Sequence, residues 1–348
     1  MTGGTEPLRS SPTVAGHPGI SWSIVLRAVP VTAVDPEAAL ERLAEGWPAD
    51  GAVGPAPRRV AVRGSPAAQL RAAANDPYPE PGPFVRVGAT PGGVVVAAHH
   101  AVLDGLGLVA VMGLVVGAGL GTTARGVRGP HDAGTARRLA YPAARLGEAL
   151  IRPPDAIAAR AGPPAPGDRL AATTIEPAVG TAGLVAAAAR AVRRWNAERG
   201  ARATRVVVAV GASARSGEHP TVGRASTWFR IEVPRGTTAP GVRQLLQRRG
   251  PEPPAGATVL RAARASGVAA RIERRTGSTL LVSNLGELAP DGVVGAAEFY
   301  PSAHGRSGVA VGAIRAGGAT TLTVRARAAD FTDEEAARFL HLVAEQVT

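Results

Sequence analysis

The chain contains no cysteine, which excludes disulfides, cysteine nucleophiles, iron–sulfur clusters and thiolate zinc sites. It contains no lysine either, so all 39 basic residues are arginine. That excludes a lysine Schiff base to pyridoxal phosphate and a phosphate-binding loop ending in Gly-Lys-Ser/Thr. Aromatic residues are scarce, at 3%, so the chain lacks the stacking platform of a single-strand nucleic-acid binder. The formal net charge of +12 would suit an anionic partner such as nucleic acid, coenzyme A or an acidic carrier protein. The arginines are scattered, however, and fit a composition biased to Ala, Arg, Gly and Pro. No nucleic-acid partner is expected. Residues 1–18 are polar and lack the apolar core of a secretory signal, so a flexible N-terminus and a cytoplasmic location are expected. The uncharged stretch 105–124 carries six glycines and reads as a buried Gly-rich helix rather than a membrane span.

What is present is a globular α/β pattern. At 348 residues, 45% of them hydrophobic, the chain is long enough for two lobes. Alternating residues over 20–29 predict a first strand. A helix follows over 36–45, with Asp35 as cap and Pro36 in the first turn. Short elements are expected at 60–62 (strand) and 66–74 (helix), then strands at 84–87 and 94–99. The last of these is a continuous apolar run, as in a strand buried on both faces. Helices are expected over 106–117 and 135–150. The prolines at 153, 154, 163, 164 and 166 mark a semi-rigid link. This divides the chain into a flexible segment 1–18, an N-terminal lobe 19–152, a Pro-rich linker 153–169 and a C-terminal lobe 170–348. In the second lobe, strands are expected at 170–175, 205–210, 227–233, 279–282, 309–314 and 320–326. Helices are expected at 181–198, 242–248, 257–273 and 333–346, the last capped by Thr332. The two halves share an order of elements, which suggests a pseudo-duplicated architecture.

The sharpest constellation is His99, His100 and Asp104, where a buried strand ends in two imidazoles and an acid follows four residues after the second. A general base needs an imidazole with one free nitrogen near its substrate and a group that fixes its tautomer. Gly105 lets the chain turn into the next helix. The same residues also suit a satisfied polar cluster at a turn or a pair of metal ligands. A metal is disfavoured because the other histidines, at 17, 131, 219, 304 and 341, are isolated.

The run Ala98-His99-His100-Ala101-Val102-Leu103-Asp104-Gly105 resembles the His-His-x-x-x-Asp-Gly motif of condensation domains from nonribosomal peptide synthetases. That superfamily includes chloramphenicol acetyltransferase, the wax ester synthase/diacylglycerol acyltransferases and polyketide-associated acyltransferases. Gly211-Ala212-Ser213-Ala214-Arg215, the segment Val222-Gly223 leading to 227–234, and Leu281-Val282-Ser283-Asn284-Leu285-Gly286 are similar to further family segments. The resemblance implies two chloramphenicol acetyltransferase-like αβ sandwich lobes forming a pseudo-dimer, with a cleft or tunnel between them. It implies a thioester-using acyltransferase or condensation enzyme of natural product biosynthesis, forming an amide or ester. His100 would be the catalytic base and His99 its more structural neighbour. Asp104 would face away from substrate and pair with an arginine, for which Arg215 is the candidate, and Gly105 would close the motif. Ser283 and Asn284 are candidates to line the channel or donate to an oxyanion; the alternative is a strand-end turn. No metal or permanently bound cofactor is implied. The donor would be a coenzyme A or phosphopantetheine thioester, on free coenzyme A or an acyl carrier protein, and the acceptor a small molecule. The chain is shorter than a typical condensation domain and lacks the family's Asp-Phe-Gly-Trp-Gly motif, which favours a free-standing enzyme. Cyclisation, dehydration or epimerisation on the same fold, and a non-catalytic carrier-binding module, are the other readings.

Overall fold

The computed structural model describes residues 22–127, 141–160, 165–252 and 277–347, apart from 50, 52, 63, 64, 79–82, 91, 142, 143, 146, 304 and 305. The expected N-terminal segment 1–18 and the expected helix 257–273 lie outside the described residues. The helix expected over 135–150 is described in part, and its described residues between 141 and 151 are helical.

The first half forms β1 (Ser23–Pro30), α1 (Pro36–Gly46), β2 (Val60–Val62), α2 (Pro66–Asn75), β3 (Val85–Thr90), β4 (Gly93–His99), α3 (Gly105–Val116) and β5 (Gly121–Thr122). Local chemistry explains most boundaries. The Asp35 side chain accepts from the Glu37 N–H and caps α1, with Pro36 in its first turn. Helix α3 ends at Gly117 in the left-handed region (φ 74°), which spares that residue the Cβ penalty. Its interior is apolar on nearly all sides, because it is buried between the first sheet, α1 and β5.

The second half forms β6 (Asp168–Ile175), α4 (Thr181–Ala197), β7 (Val207–Ser213), β8 (Ser226–Glu232), α5 (Ala239–Arg249), β9 (Leu280–Ala289), β10 (Val294–Tyr300), β11 (Val309–Ala316), β12 (Ala319–Arg327) and α6 (Asp333–Glu345). Thr332 and Glu335 form a reciprocal capping box that starts α6. Trp195 on α4 stacks on Phe331 and meets Phe339 of α6 edge-on, which joins the two helices over the second core.

Two sheets result. The first has the order β10-β1-β4-β3-β2, and the second β6-β12-β11-β9-β7-β8, with β5 paired to β9. Strand β4 is central and buried on both faces, which accounts for its unbroken apolar run. The architecture is mixed α/β with one principal core on each sheet, as the two-lobe expectation has it.

The halves are interleaved. Strand β10, from the span assigned to the C-terminal lobe, adds antiparallel to β1 and completes the first sheet. Its middle, Gly295-Ala296-Ala297-Glu298, has little strand propensity. The strand holds through its pairing with β1, where Arg27 meets Glu298 across the strands, and Tyr300 Oη of β10 itself donates to Glu298 Oε2 at 2.8 Å. In return β5, from the N-terminal span, pairs with β9.

The segment 153–169, expected as a link, packs in its described part. Ile157 is buried in the second core, its N–H donates to Ser307 Oγ at 2.7 Å, and Ala158 N–H donates to Asn196 Oδ1 at 2.9 Å. Strand β6 already begins at Asp168. Buried Asn196 meets its own hydrogen-bonding demand on the backbone of this segment, which anchors it.

Candidate active site

The motif loop starts where β4 stops. The His99 N–H donates to Phe84 O at 2.8 Å and the His100 N–H to Trp22 O at 2.8 Å, so the residues preceding β3 and β1 grip the strand end. A turn follows, with Val102 N–H donating to His99 O at 2.9 Å. Asp104 then caps α3 by accepting from Gly107 N–H at 2.8 Å.

The two imidazoles are held differently. His99 Nδ1 accepts from the Ala101 N–H at 3.2 Å, and its ring sits among Trp22 (stacked, centroids 6.3 Å), Tyr78 (edge-on, 5.7 Å) and Phe84 (6.1 Å). His100 Nδ1 lies 2.9 Å from Leu103 O. A carbonyl can only accept, so Nδ1 carries the proton and the lone pair of the neutral ring is on Nε2. Burial pushes the pKa of both rings below the ordinary histidine value. His99 is lowered further by His100 and the Arg224 guanidinium. For His100, the Leu103 bond and Asp104 oppose the shift and Arg224 adds to it.

Asp104 is buried, and both of its carboxylate oxygens are taken up by protein donors. Oδ1 accepts from Gly107 N–H and from Arg215 Nη2 at 2.7 Å; Oδ2 accepts from Ala225 N–H at 2.8 Å and Ser213 Oγ at 3.4 Å. Arg215 also donates to Thr221 O and Gly223 O, so it binds the loop 214–225 to the motif. Gly105 and Gly107 permit close approach here. A Cβ on Gly105 would lie 2.6 Å from Leu285 Cδ2, and one on Gly107 2.4 Å from Gly223 O.

Ser283 and Asn284 lie on β9. Asn284 is committed elsewhere: Nδ2 donates to Val179 O at 2.7 Å, and Oδ1 accepts from Gly286 N–H at 2.8 Å. This is the turn-stabilising alternative for that residue. Ser283 is in register with Gly211, two residues before Ser213, so it shares the sheet face that meets Asp104. Its hydroxyl makes no hydrogen bond among the described residues.

Several contributors went unread in one dimension: Arg224, Trp22, Tyr78 and the Leu103 carbonyl. Arg224 directly follows the family-like Val222-Gly223, the one local signal that pointed to it. Among the described residues no group of three or more His, Asp or Glu is placed to hold a metal, and no helix is long and apolar enough to cross a membrane.

Comparison with solved structures identifies the fold. A double mutant of the starter condensation domain of rhizomide synthetase RzmA, in complex with C8-CoA and Leu-SNAC, is similar with a TM-score of 0.60. The similarity covers 94% of this chain and 88% of that one, at 15% identity. The fold is that of a condensation domain. A single mutant of the same domain with C8-CoA gives a TM-score of 0.59 at 17% identity, over 95% and 90% of the two chains. The cyclization-docking bidomain of EpoB from Sorangium cellulosum gives 0.56 at 12% identity, over 96% and 81%. No family model and no curated protein matches the chain. In this condensation-domain fold, the His99–His100 loop ends the central strand of one sheet while loop 214–225 of the other closes on it.

Proposed function

We propose that the protein is a soluble, cytoplasmic acyltransferase of condensation type that joins an acyl group from a thioester to an amine or hydroxyl acceptor. The observation that carries this reading is the His100 Nδ1 to Leu103 O contact of 2.9 Å, which leaves Nε2 as the basic nitrogen. The depressed pKa keeps that ring neutral at pH 7, the state a base needs.

In this mechanism Nε2 of His100 removes the acceptor proton as the acceptor nitrogen or oxygen attacks the thioester carbonyl. The new C–N or C–O bond forms and the carbonyl π electrons move to oxygen. Collapse of the tetrahedral intermediate breaks the C–S bond, and the imidazolium returns its proton to the leaving sulfur. General-base assistance is worth roughly 10²–10⁴-fold, and holding both substrates in register supplies much of the rest. Asp104 and Arg215 fix the loop and transfer no proton. Ser283 is the remaining hydroxyl for the channel or oxyanion. The thioester donor is coenzyme A or a carrier-bound phosphopantetheine; the C8-CoA in complex with the rhizomide synthetase domain supports the former.

The test is thiol release across a panel of acyl-coenzyme A and acyl-carrier donors with amine and alcohol acceptors. Release that depends on acceptor and disappears in His100→Ala supports acyl transfer. Undiminished release in a folded His100→Ala protein refutes it.

A further inference from the structure

Arg224 is the cation of the site that the proposed mechanism leaves unused. It is exposed, in the loop between β7 and β8. Its neighbours are pinned against the motif: Ala225 N–H donates to Asp104 Oδ2 at 2.8 Å, and Gly223 O packs on the first turn of α3 and accepts from Arg215 Nη2 at 3.0 Å. Its own head is oriented by one hydrogen bond, Nε to Ser226 Oγ at 2.9 Å. Among the described residues no carboxylate pairs with it, whereas Arg27, Arg215, Arg230 and Arg325 each have one. Both Nη groups therefore have no hydrogen-bond partner among the described residues. Arg224 is thus held beside the loop that carries His99, His100 and Asp104, and its positive charge contributes to the lowered pKa of both histidines.

We propose that Arg224 binds a carboxylate of the acceptor, so that the preferred acceptor is a free amino acid or hydroxy acid rather than one tethered as a thioester. This rests on the acyl-transfer reading. An arginine fork matches a carboxylate bidentately, and in an α- or β-substituted acid the carboxylate lies within a few bonds of the attacking nitrogen or oxygen. It would then dock beside the base as the nucleophile reaches His100 Nε2. The phosphate of a phosphopantetheine arm is the other anion such an enzyme meets. Two amide-linked segments separate it from the sulfur, so it is remote from His100 whenever the thioester is in place. A tethered acceptor has no free carboxylate to offer, and a neutral amine leaves the guanidinium without a partner.

The first experiment needs no turnover. The imidazole Hε1 resonances of His99 and His100 are followed by NMR while N-acetylglycine or N-acetylglycinamide is added. The acid should shift both resonances and raise both histidine pKa values, because it neutralises the neighbouring cation. The amide should be silent, and Arg224→Gln should abolish the response to the acid. No response in the wild type, or an equal response in Arg224→Gln, overturns the proposal while leaving acyl transfer untouched. The second experiment compares free amino acids with their amides as acceptors. The wild type should prefer the acid by about tenfold to a hundredfold in kcat/KM, the range of one charge-assisted pair. Arg224→Lys should retain part of that preference and Arg224→Gln none. An acid-to-amide ratio that is the same in wild type and Arg224→Gln overturns the assignment. Loss of all thiol release in the wild type with an intact NMR response would fault the acyl-transfer reading instead.

Discussion

Arg325 Nε lies 2.7 Å from Asp168 Oδ2, and both side chains are shut off from solvent, at 0% and 2% exposure. The pair joins β12 to β6 in the second sheet. The same guanidinium reaches across to the first lobe, donating to Ser23 O and, at 2.8 Å, to Ala74 O. Ser23 follows Trp22, whose carbonyl holds the His100 N–H. A buried arginine of one lobe is thereby two residues of contact away from the proposed base in the other. Removing one partner of a buried pair leaves an uncompensated charge. Arg325→Met should lower unfolding free energy by ~3–5 kcal/mol, measured by denaturant titration. A loss within about 0.5 kcal/mol, the range of an ordinary surface change, would show that the latch carries no load.

Asp104 accepts four hydrogen bonds, from Gly107, Arg215, Ala225 and Ser213. Asp104→Ala removes the α3 cap, worth ~1 kcal/mol, and strands the Arg215 charge. The variant should melt lower and lose turnover together. A double-mutant cycle with Arg215→Met should give a coupling of roughly 1–3 kcal/mol. Normal melting with full activity would refute a positioning role for the carboxylate.

His100 is held below its ordinary pKa mainly by burial, with Arg224 adding to the shift. Its neutral form is the active one, so kcat/KM should fall only as pH drops below about 6.5, the unperturbed histidine value. Arg224→Gln removes a cation and should move that acid limb upward, towards 6.5. The depressed pKa also affects folding. The unfolded chain protonates first as pH falls, so stability is full above 6.5 and declines as pH falls through the folded-state value. A pH series of melting temperatures on wild type and His100→Gln isolates this contribution. An acid limb above 6.5 in the wild type contradicts the assignment.

The tautomer is open to direct observation. Nitrogen-15 chemical shifts of the imidazoles should place the proton of neutral His100 on Nδ1, facing Leu103 O, and that of neutral His99 on Nε2, since its Nδ1 accepts from Ala101. Finding the His100 proton on Nε2 would remove the basic nitrogen from the proposed mechanism.

Gly107→Ala places a methyl 2.4 Å from Gly223 O, a backbone atom that cannot rotate away. Loop 214–225 must then retreat from the motif. Overpacking of this kind costs about 1–3 kcal/mol, and activity should fall with stability although no functional group is lost. Unchanged kinetics would show that the loop tolerates displacement.

Local signals explain what was legible in the chain. Asp35, Thr332 and the glycine after α3 mark helix ends because capping is settled within four residues. The apolar run of β4 exposes its burial on both faces, and the spacing of His99, His100 and Asp104 survives as a motif because one turn holds all three. Strand β10 was not legible, because Gly295, Ala296 and Ala297 carry no propensity and become strand only against β1. Asn284, a candidate oxyanion donor, turned out to be occupied by Val179 and Gly286. The packed segment around Ile157 reads as a link because its anchors, Asn196 and Ser307, lie far away in sequence.

The sequence by itself determined the helix caps, the central buried strand, the two-lobed α/β order and the identity of the motif residues. Each depends on neighbours a few positions away, where geometry follows from chain spacing. Only the tertiary structure decided which sheet β10 enters, that the loop carrying Arg224 closes on Asp104, and that Arg325 reaches Ser23 in the first lobe. Those outcomes are set by contacts across 100 to 300 residues of chain, where nothing in the local sequence encodes distance.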